Sequence, residues 1–296
     1  MLNKCPICHN PYNSLKLNGL LMRHCPKCGL VWRKNFNISI NYYQTKKNNL
    51  SEKKIKDRIS NSKNRIKIFK RYVDLNNLLD IDAGEGVFLK VLNDYGYKNI
   101  FGIEPNIKDI EFAKANNLKM INGTIDNIKK VISENNIHTV TMFHLIEHLK
   151  NPLKSLKLIF ESLNKGERLI IETPDFESYT IKKTNYKHKL IYPEHFFYFN
   201  QKNLRLLLGK IGFKIIATGK RDFNQNNFSI RESLFRLGLI KKNNNCSYNK
   251  NNQIKTYLRD KNSKNIIFIK KIIRKILNKL VIKFNRLDYI WIIVEK

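Results

Sequence analysis

Acidic residues are scarce in this chain. Against 56 Lys and Arg it has only 24 Asp and Glu, giving a formal net charge of +32 and an isoelectric point near 10.0. An excess of that size suits a polyanionic partner, either nucleic acid or an anionic membrane surface. Lys, Asn and Ile are raised along the whole length rather than in one patch, as translation of an AT-rich genome would produce, and this compositional origin is the preferred reading. Long apolar runs are also missing. No stretch of about 18 uncharged apolar residues occurs, which excludes a simple membrane-spanning helix. The opening Met1-Leu2-Asn3-Lys4-Cys5-Pro6 carries no apolar signal-peptide core, so the expected location is cytoplasmic. What remains is ordinary globular material: 42% hydrophobic and 11% aromatic residues over 296 positions, enough for one large domain with a small appendage.

Cysteine is sparse too, at five residues, but four of them are arranged. Cys5-Pro6-Ile7-Cys8 and Cys25-Pro26-Lys27-Cys28 are two CxxC pairs separated by sixteen residues. Two such turns supply four thiolates to one tetrahedral zinc, and four protein ligands make the site structural rather than catalytic. The neighbouring His9 and His24 could substitute as ligands, and a disulfide pairing is the alternative. Cys246 lies alone in an Asn- and Lys-rich stretch and is assigned no role.

Four regions follow from the patterning. Residues 1–34 read as a zinc ribbon with short strands at Leu15–Leu17 and Gly29–Trp32. Residues 35–72 are a polar connector, bearing Tyr42 and Tyr43, and a basic helix whose Ile55, Ile59, Ile66 and Phe69 mark one face. From residue 73 strands and helices alternate: strands at 78–82, 99–104, 118–122, 137–143, 167–173 and 213–218, helices at 85–95, 106–116, 151–163 and 201–211. This rhythm predicts an α/β fold, a Rossmann-like, doubly wound and mostly parallel sheet of seven strands, with the last strand supplied by 288–296 after an insertion at 222–287. In the insertion, Ile269, Ile272, Ile273, Ile276, Leu277, Leu280 and Phe284 recur at helical spacing, with Lys and Arg on the other face. An ordinary surface helix covering the sheet or a dimer partner is the first reading of 266–284. Peripheral contact with an anionic membrane, on the inner membrane face, is the second.

The run Leu78-Leu79-Asp80-Ile81-Asp82-Ala83-Gly84-Glu85-Gly86 leaves an apolar strand, turns through glycine and opens a helix; Glu104 follows eighteen residues after Gly86 at the next strand tip. Strand, tight turn, helix start and acid form the context of a nucleoside-cofactor site. The acids Asp80, Asp82 and Glu85 would repel a pyrophosphate, whereas S-adenosylmethionine (SAM), a sulfonium with an ammonium group and no phosphate, suits them.

These segments resemble class I SAM-dependent methyltransferases. LLDIDAGEGVFL is similar to their first motif, D-x-G-x-G-x-G, and GIEPN to their second. VTMFHLIEHLKNPLKSL and NKGERLIIETPD resemble the segments around their fourth and fifth strands. YPEHFFYFNQKNLRLLLGKIGFKI, with the CPxC…CxxCGLV ribbon, resembles a subgroup rich in bacterial sugar- and polysaccharide-modifying enzymes. The resemblance implies that Asp80, Asp82, Gly84 and Gly86 line the cofactor, that Glu104 holds its ribose, that Thr124 and Ile125 border the adenine, and that Phe143 and His144 lie beside it. Asp82 stands where the family's first motif glycine is expected; its carboxylate could pair with the cofactor ammonium or crowd the site. For Phe143 simple core packing is the alternative.

Methyl transfer to a hydroxyl calls for a base, and His195, with His148 and Glu194, is the candidate set near the mouth. For His195 the alternative is a histidine that braces its loop through Glu194. The expected activity is methylation of a small-molecule or glycan acceptor, a sugar hydroxyl first. The alternatives are an RNA methyltransferase, or a non-catalytic zinc-binding scaffold with a degenerate cofactor site.

Overall fold

The computed structural model describes residues 4–35, 52–222, 228–240 and 263–296, without the side chains of Lys53 and residues 263–267. The connector tyrosines Tyr42 and Tyr43, Cys246 and most of the polar loop at 241–264 lie outside the described residues.

The N-terminal unit is a three-stranded antiparallel sheet, β1 (Asn13–Leu17), β2 (Leu20–His24) and β3 (Val31–Arg33). The sequence pattern missed β2 as a separate strand. Its two cysteine turns have the same construction: His9 N–H donates to Cys5 O at 3.0 Å and Gly29 N–H to Cys25 O at 2.8 Å. The residue after each pair takes a left-handed backbone, with φ of 59° at His9 and 75° at Gly29. A Cβ on Gly29 would meet the Asn200 side chain at 2.6 Å, so glycine also permits close docking on the main domain.

Helix α1 (Glu52–Phe69) follows the connector, and its buried Ile66 and Phe69 enter the core beside Phe88, Phe143 and Trp291. Then the alternation runs as the periodicity predicts: β4 (Leu78–Ile81), α2 (Val87–Asp94), β5 (Ile100–Glu104), α3 (Ile107–Ala115), β6 (Lys119–Asn122), α4 (Ile128–Asn135), β7 (Thr139–Phe143), α5 (Pro152–Ser162) and β8 (Arg168–Pro174). Strands β4 and β7 are buried at every position, the mark of a sheet covered on both faces. Helix starts carry local chemistry. Asn106 caps α3, and Asn151 caps α5 with Pro152 in its first turn.

After β8 come a short helix α6 (Tyr179–Lys183), a two-residue strand β9 (Phe197–Tyr198), α7 (Gln201–Ile211), β10 (Lys214–Arg221), α8 (Ile230–Arg236), α9 (Ser263–Lys283) and β11 (Tyr289–Glu295). An Asn200–Asn203 capping box starts α7, and Gly212, at φ 115°, ends it. The large sheet has seven strands in the order β10-β11-β8-β7-β4-β5-β6. Its β4, β5, β6, β7 and β8 are parallel, and β11 is antiparallel to both neighbours. Chain order reverses at β4, flanked by β5 and β7. That is the switch point where ligands of open α/β sheets bind, at the carboxyl ends of the strands.

Two features were not in the pattern. First, β9 continues the N-terminal sheet, pairing Val31 with Tyr198 and Trp32 with Phe197, so the cysteine unit and the main domain share one hydrogen-bonded sheet. Second, the stripe on α9 does not cover the large sheet: Phe268, Ile269, Ile272, Ile273 and Ile276 are all exposed, from 42% to 63%. The helix packs instead through its opposite side, where Val281 and Asn278 are buried against α8.

Candidate functional site

The turn after β4 is built around unusual backbone. Asp82, Gly84 and Gly86 have φ of 64°, 55° and 74°. This left-handed region explains the glycine expected at position 82, and aspartate is among the few other residues that adopt it readily. Backbone N–H groups of Asp82 and Ala83 donate to Ile103 O at 2.9 and 3.1 Å, tying the turn to β5. Gly86 starts α2 and packs against Leu118 and Ala113. Among the described residues nothing lies within 4 Å of where a Cβ on Gly84 would stand. The space over Gly84 is therefore open, next to the carboxylate of Glu104.

Glu104, at the tip of β5, is fixed by two backbone donors: Gly84 N–H to Oε2 and Asn106 N–H to Oε1, both at 2.9 Å. Burial, reinforced by the charge of Asp82, pushes its carboxyl up to about 7. Asp80, buried at the end of β4, accepts from the Thr141 hydroxyl at 2.6 Å, and burial pushes it up to about 7 as well. Glu85 is paired with Arg58 of α1. The turn thus gathers several carboxyls, of which burial holds Asp80 and Glu104 at about 7, a setting complementary to a ligand that carries positive charge and no phosphate. Thr124 caps the short 3-10 turn after β6 by accepting from Asp126 N–H, and Ile125 follows half-buried.

Phe143 is a core residue: its ring stacks on Phe69 at 5.9 Å and meets Phe88 edge-on at 5.2 Å, with the Arg65 guanidinium 3.9 Å over its face. His144 follows at φ 57° and donates from Nε2 to Glu172 at 2.9 Å. Burial pulls His144 down, but the carboxylates of Glu147 and Glu172 outweigh it and raise its pKa. Glu172 is the hub of a buried ion cluster. It receives Arg221 at 2.6 Å and Arg65 at 2.7 Å; Arg221 also donates to Asn61. Burial alone would raise Glu172, yet the two guanidinium groups hold it well below the usual carboxylate range. The motif reading missed this cluster, although an acid inside the apolar run of β8 was the available signal.

The third group forms where the segment after β7 meets the loop before β9. One carboxylate oxygen of Glu147 and one ring nitrogen each of His148 and His195 lie within 4.8 Å of one another. His195 Nδ1 donates to Leu190 O at 3.0 Å, and His148 Nδ1 to Glu194 O at 2.9 Å. A carbonyl can only accept, so both rings carry a proton on Nδ1. Burial pushes His195 down to about 4, which leaves it neutral at physiological pH. The brace on the loop is therefore made by backbone carbonyls; Glu194 joins it through its main chain rather than its carboxylate. Glu147 accepts from Thr173 at 2.9 Å through one oxygen, while the other is buried 3.5 Å from His144 Nδ1.

The cysteine unit holds this loop in place. Arg33 N–H donates to Phe196 O and Phe196 N–H to Glu147 O, at 2.9 and 2.8 Å, while the Arg33 side chain reaches Pro193 O and Asn18 reaches Ile191 O. At its far end, Cys5 and Cys28 Sγ are 3.6 Å apart and Cys8 and Cys25 Sγ 3.4 Å, with no disulfide. Four sulfurs about 2.3 Å from a central zinc would stand about 3.8 Å apart, so the donor set fits a tetrahedral ion with little adjustment.

Residues 42–218 match the family model described as a methyltransferase domain. The chain belongs to that family. This methyltransferase is of the SAM-dependent kind, with the Rossmann-like sheet described above. Among solved structures it is similar to a SAM-dependent methyltransferase from Archaeoglobus fulgidus, at 19% identity and a TM-score of 0.51, over 79% of this chain and 92% of that one. It is also similar to a chain of the complex between the Haloferax volcanii Trm112 methyltransferase activator and a methyltransferase, at 11% identity and a TM-score of 0.52, over 82% and 91%. At these identities the likeness speaks for the fold. None of the curated proteins matches the methyltransferase.

Proposed function

We propose that the methyltransferase acts on a small-molecule or glycosidic acceptor, a sugar hydroxyl, with a zinc ribbon placing the acceptor loop. The observation that carries this reading is the meeting of His195, His148 and Glu147 at the carboxyl edge of the sheet, on a loop strapped to the cysteine unit. SAM supplies an electrophilic methyl group when bound. The open space over Gly84 and the acidic turn suit it: Glu104 would hold the ribose hydroxyls, Asp82 would face the ammonium end, and Thr124 and Ile125 would border the base. His144 and Phe143 close the side toward β7.

His195 then acts as the base. Its Nδ1–H is anchored to Leu190, so the Nε2 lone pair of the neutral ring would take up the acceptor's hydroxyl proton, with SAM as the methyl source. His148 orients the acceptor, and the Glu147 carboxylate balances the imidazolium that forms. The Glu147 carboxylate in this cluster disfavours a phosphate chain and leaves an uncharged polyhydroxyl acceptor as the better fit. Zn2+ bound by Cys5, Cys8, Cys25 and Cys28 has no open position and is structural.

Incubating the purified protein with methyl-labelled SAM and fractionated cell material tests the reading, together with mass spectrometry of surface glycans from cells with and without the gene. Label in a sugar fragment, with a one-methyl mass shift, is the expected result. Label confined to RNA would favour the nucleic-acid alternative. Absence of SAM binding at millimolar concentration would leave the scaffold alternative.

A further inference from the structure

We propose that the outer face of α9 docks on an anionic lipid bilayer, holding the methyltransferase at a membrane surface. The observation is a helix whose polarity is inverted. Where α9 meets the protein body it buries Asn278, which receives the Ser233 hydroxyl at 2.7 Å, beside Val281. At about 3.6 residues per turn, Phe268, Ile269, Ile272, Ile273, Ile276 and Leu280 fall in one sector on the opposite side. The first five are exposed and Leu280 half-buried. A helix that only needed to cover this fold would turn that stripe inward.

Charge selects the occupant. Lys270, Lys271, Arg274, Lys275, Lys279 and Lys283 are all exposed, and no Asp or Glu occurs from Lys261 to Leu287. A second copy of this chain would bring like charges together across the stripe. A nucleic acid would use the cations and leave the isoleucines in water. An anionic membrane uses both: apolar side chains enter the headgroup boundary while cations meet the lipid phosphates. The helix lies on the surface rather than crossing it, because no described helix is long and apolar enough to span a bilayer.

Vesicle flotation of the full-length protein tests the proposal, using phosphatidylcholine alone and with about 30 mol % phosphatidylglycerol. Selective flotation with the anionic vesicles is expected. So is a drop of about tenfold or more in partitioning for the triple variant Ile269→Ser, Ile272→Ser, Ile276→Ser, and for Lys270→Gln, Lys271→Gln, Arg274→Gln, Lys275→Gln. These side chains are exposed, so both variants should keep the wild-type melting temperature. Ile272→Trp should shift its emission to the blue on the same vesicles. If the triple serine variant floats as well as wild type, attraction comes from net charge alone and the proposal fails. It fails as well if the serine changes abolish a dimer seen by light scattering without altering flotation, or weaken RNA binding instead. A failed acceptor assignment leaves this test unaffected, since it reads no turnover.

Discussion

Asp80→Asn should stabilise the ligand-free protein, and increasingly so as the pH rises. In the folded state burial lifts the Asp80 carboxyl to about 7, opposed only in part by the Thr141 hydroxyl and the charge of Arg65. In the unfolded chain it titrates at about 3.9. Below that value both states hold the proton and the group contributes nothing. Between the two values only the folded state holds it, so stability falls as the pH rises. Three units at about 1.36 kcal/mol each give roughly 4 kcal/mol of destabilisation at pH above 7, of which roughly 1.5 kcal/mol is present at about pH 5. Asparagine keeps the volume and an oxygen for Thr141 and removes the ionisation. At about 2 °C per kcal/mol for a domain of this size, the variant should melt roughly 8 °C above wild type at about pH 8 and roughly 3 °C above it at about pH 5. Thermal unfolding followed by circular dichroism at fixed ionic strength measures both. A difference independent of pH, or one that shrinks at alkaline pH, would refute the reasoning. Added SAM should narrow the alkaline gap, because a bound cation offsets the Asp80 charge.

Three further outcomes are expected. Arg221→Met leaves buried Glu172 with Arg65 and His144 as its remaining charge partners; urea unfolding should lose about 3–5 kcal/mol, and a loss under about 1 kcal/mol would show that the cluster compensates itself. Cys25→Ser should lower bound zinc, measured by elemental analysis, from one ion per chain to a small fraction, and should raise the acceptor KM more than it weakens SAM binding; full zinc occupancy in the variant would reject the four-sulfur site. His195→Gln should cut kcat by about 100-fold or more with SAM affinity unchanged by calorimetry, and turnover within a few-fold of wild type would remove His195 from the reaction.

The large sheet was readable because buried parallel strands must be near-continuous apolar runs, and the runs at 78–81, 100–104 and 139–143 are just that. The glycine turn was readable because its backbone needs positive φ, a demand visible in residue type alone. Asp82 shows the margin of that argument: it satisfies the angle without being glycine. Other features depend on distance in space. Nothing in the order of residues announces that Val31 and Trp32 pair with Tyr198 and Phe197, or that the Leu190 carbonyl, accepting from Nδ1–H, fixes the tautomer of His195. For α9, periodicity located the apolar stripe but could not say which way it faces, since a stripe turned to the core and one turned to solvent have the same spacing.

The seam between β3 and β9 bears on how the protein would behave if the proposed zinc site were left empty. An unpaired strand edge is a template for another chain, and here β9 covers one edge of the cysteine unit while the other edge, β1, presents Asn13, Ser14 and Lys16 to water. If the cysteine turns fail to close, β3 loses its frame, and Phe197 and Tyr198 are released as a bare apolar edge beside His148 and His195. Metal starvation should then appear first as insoluble protein in the cell, before any loss of methyl transfer by the molecules that remain soluble.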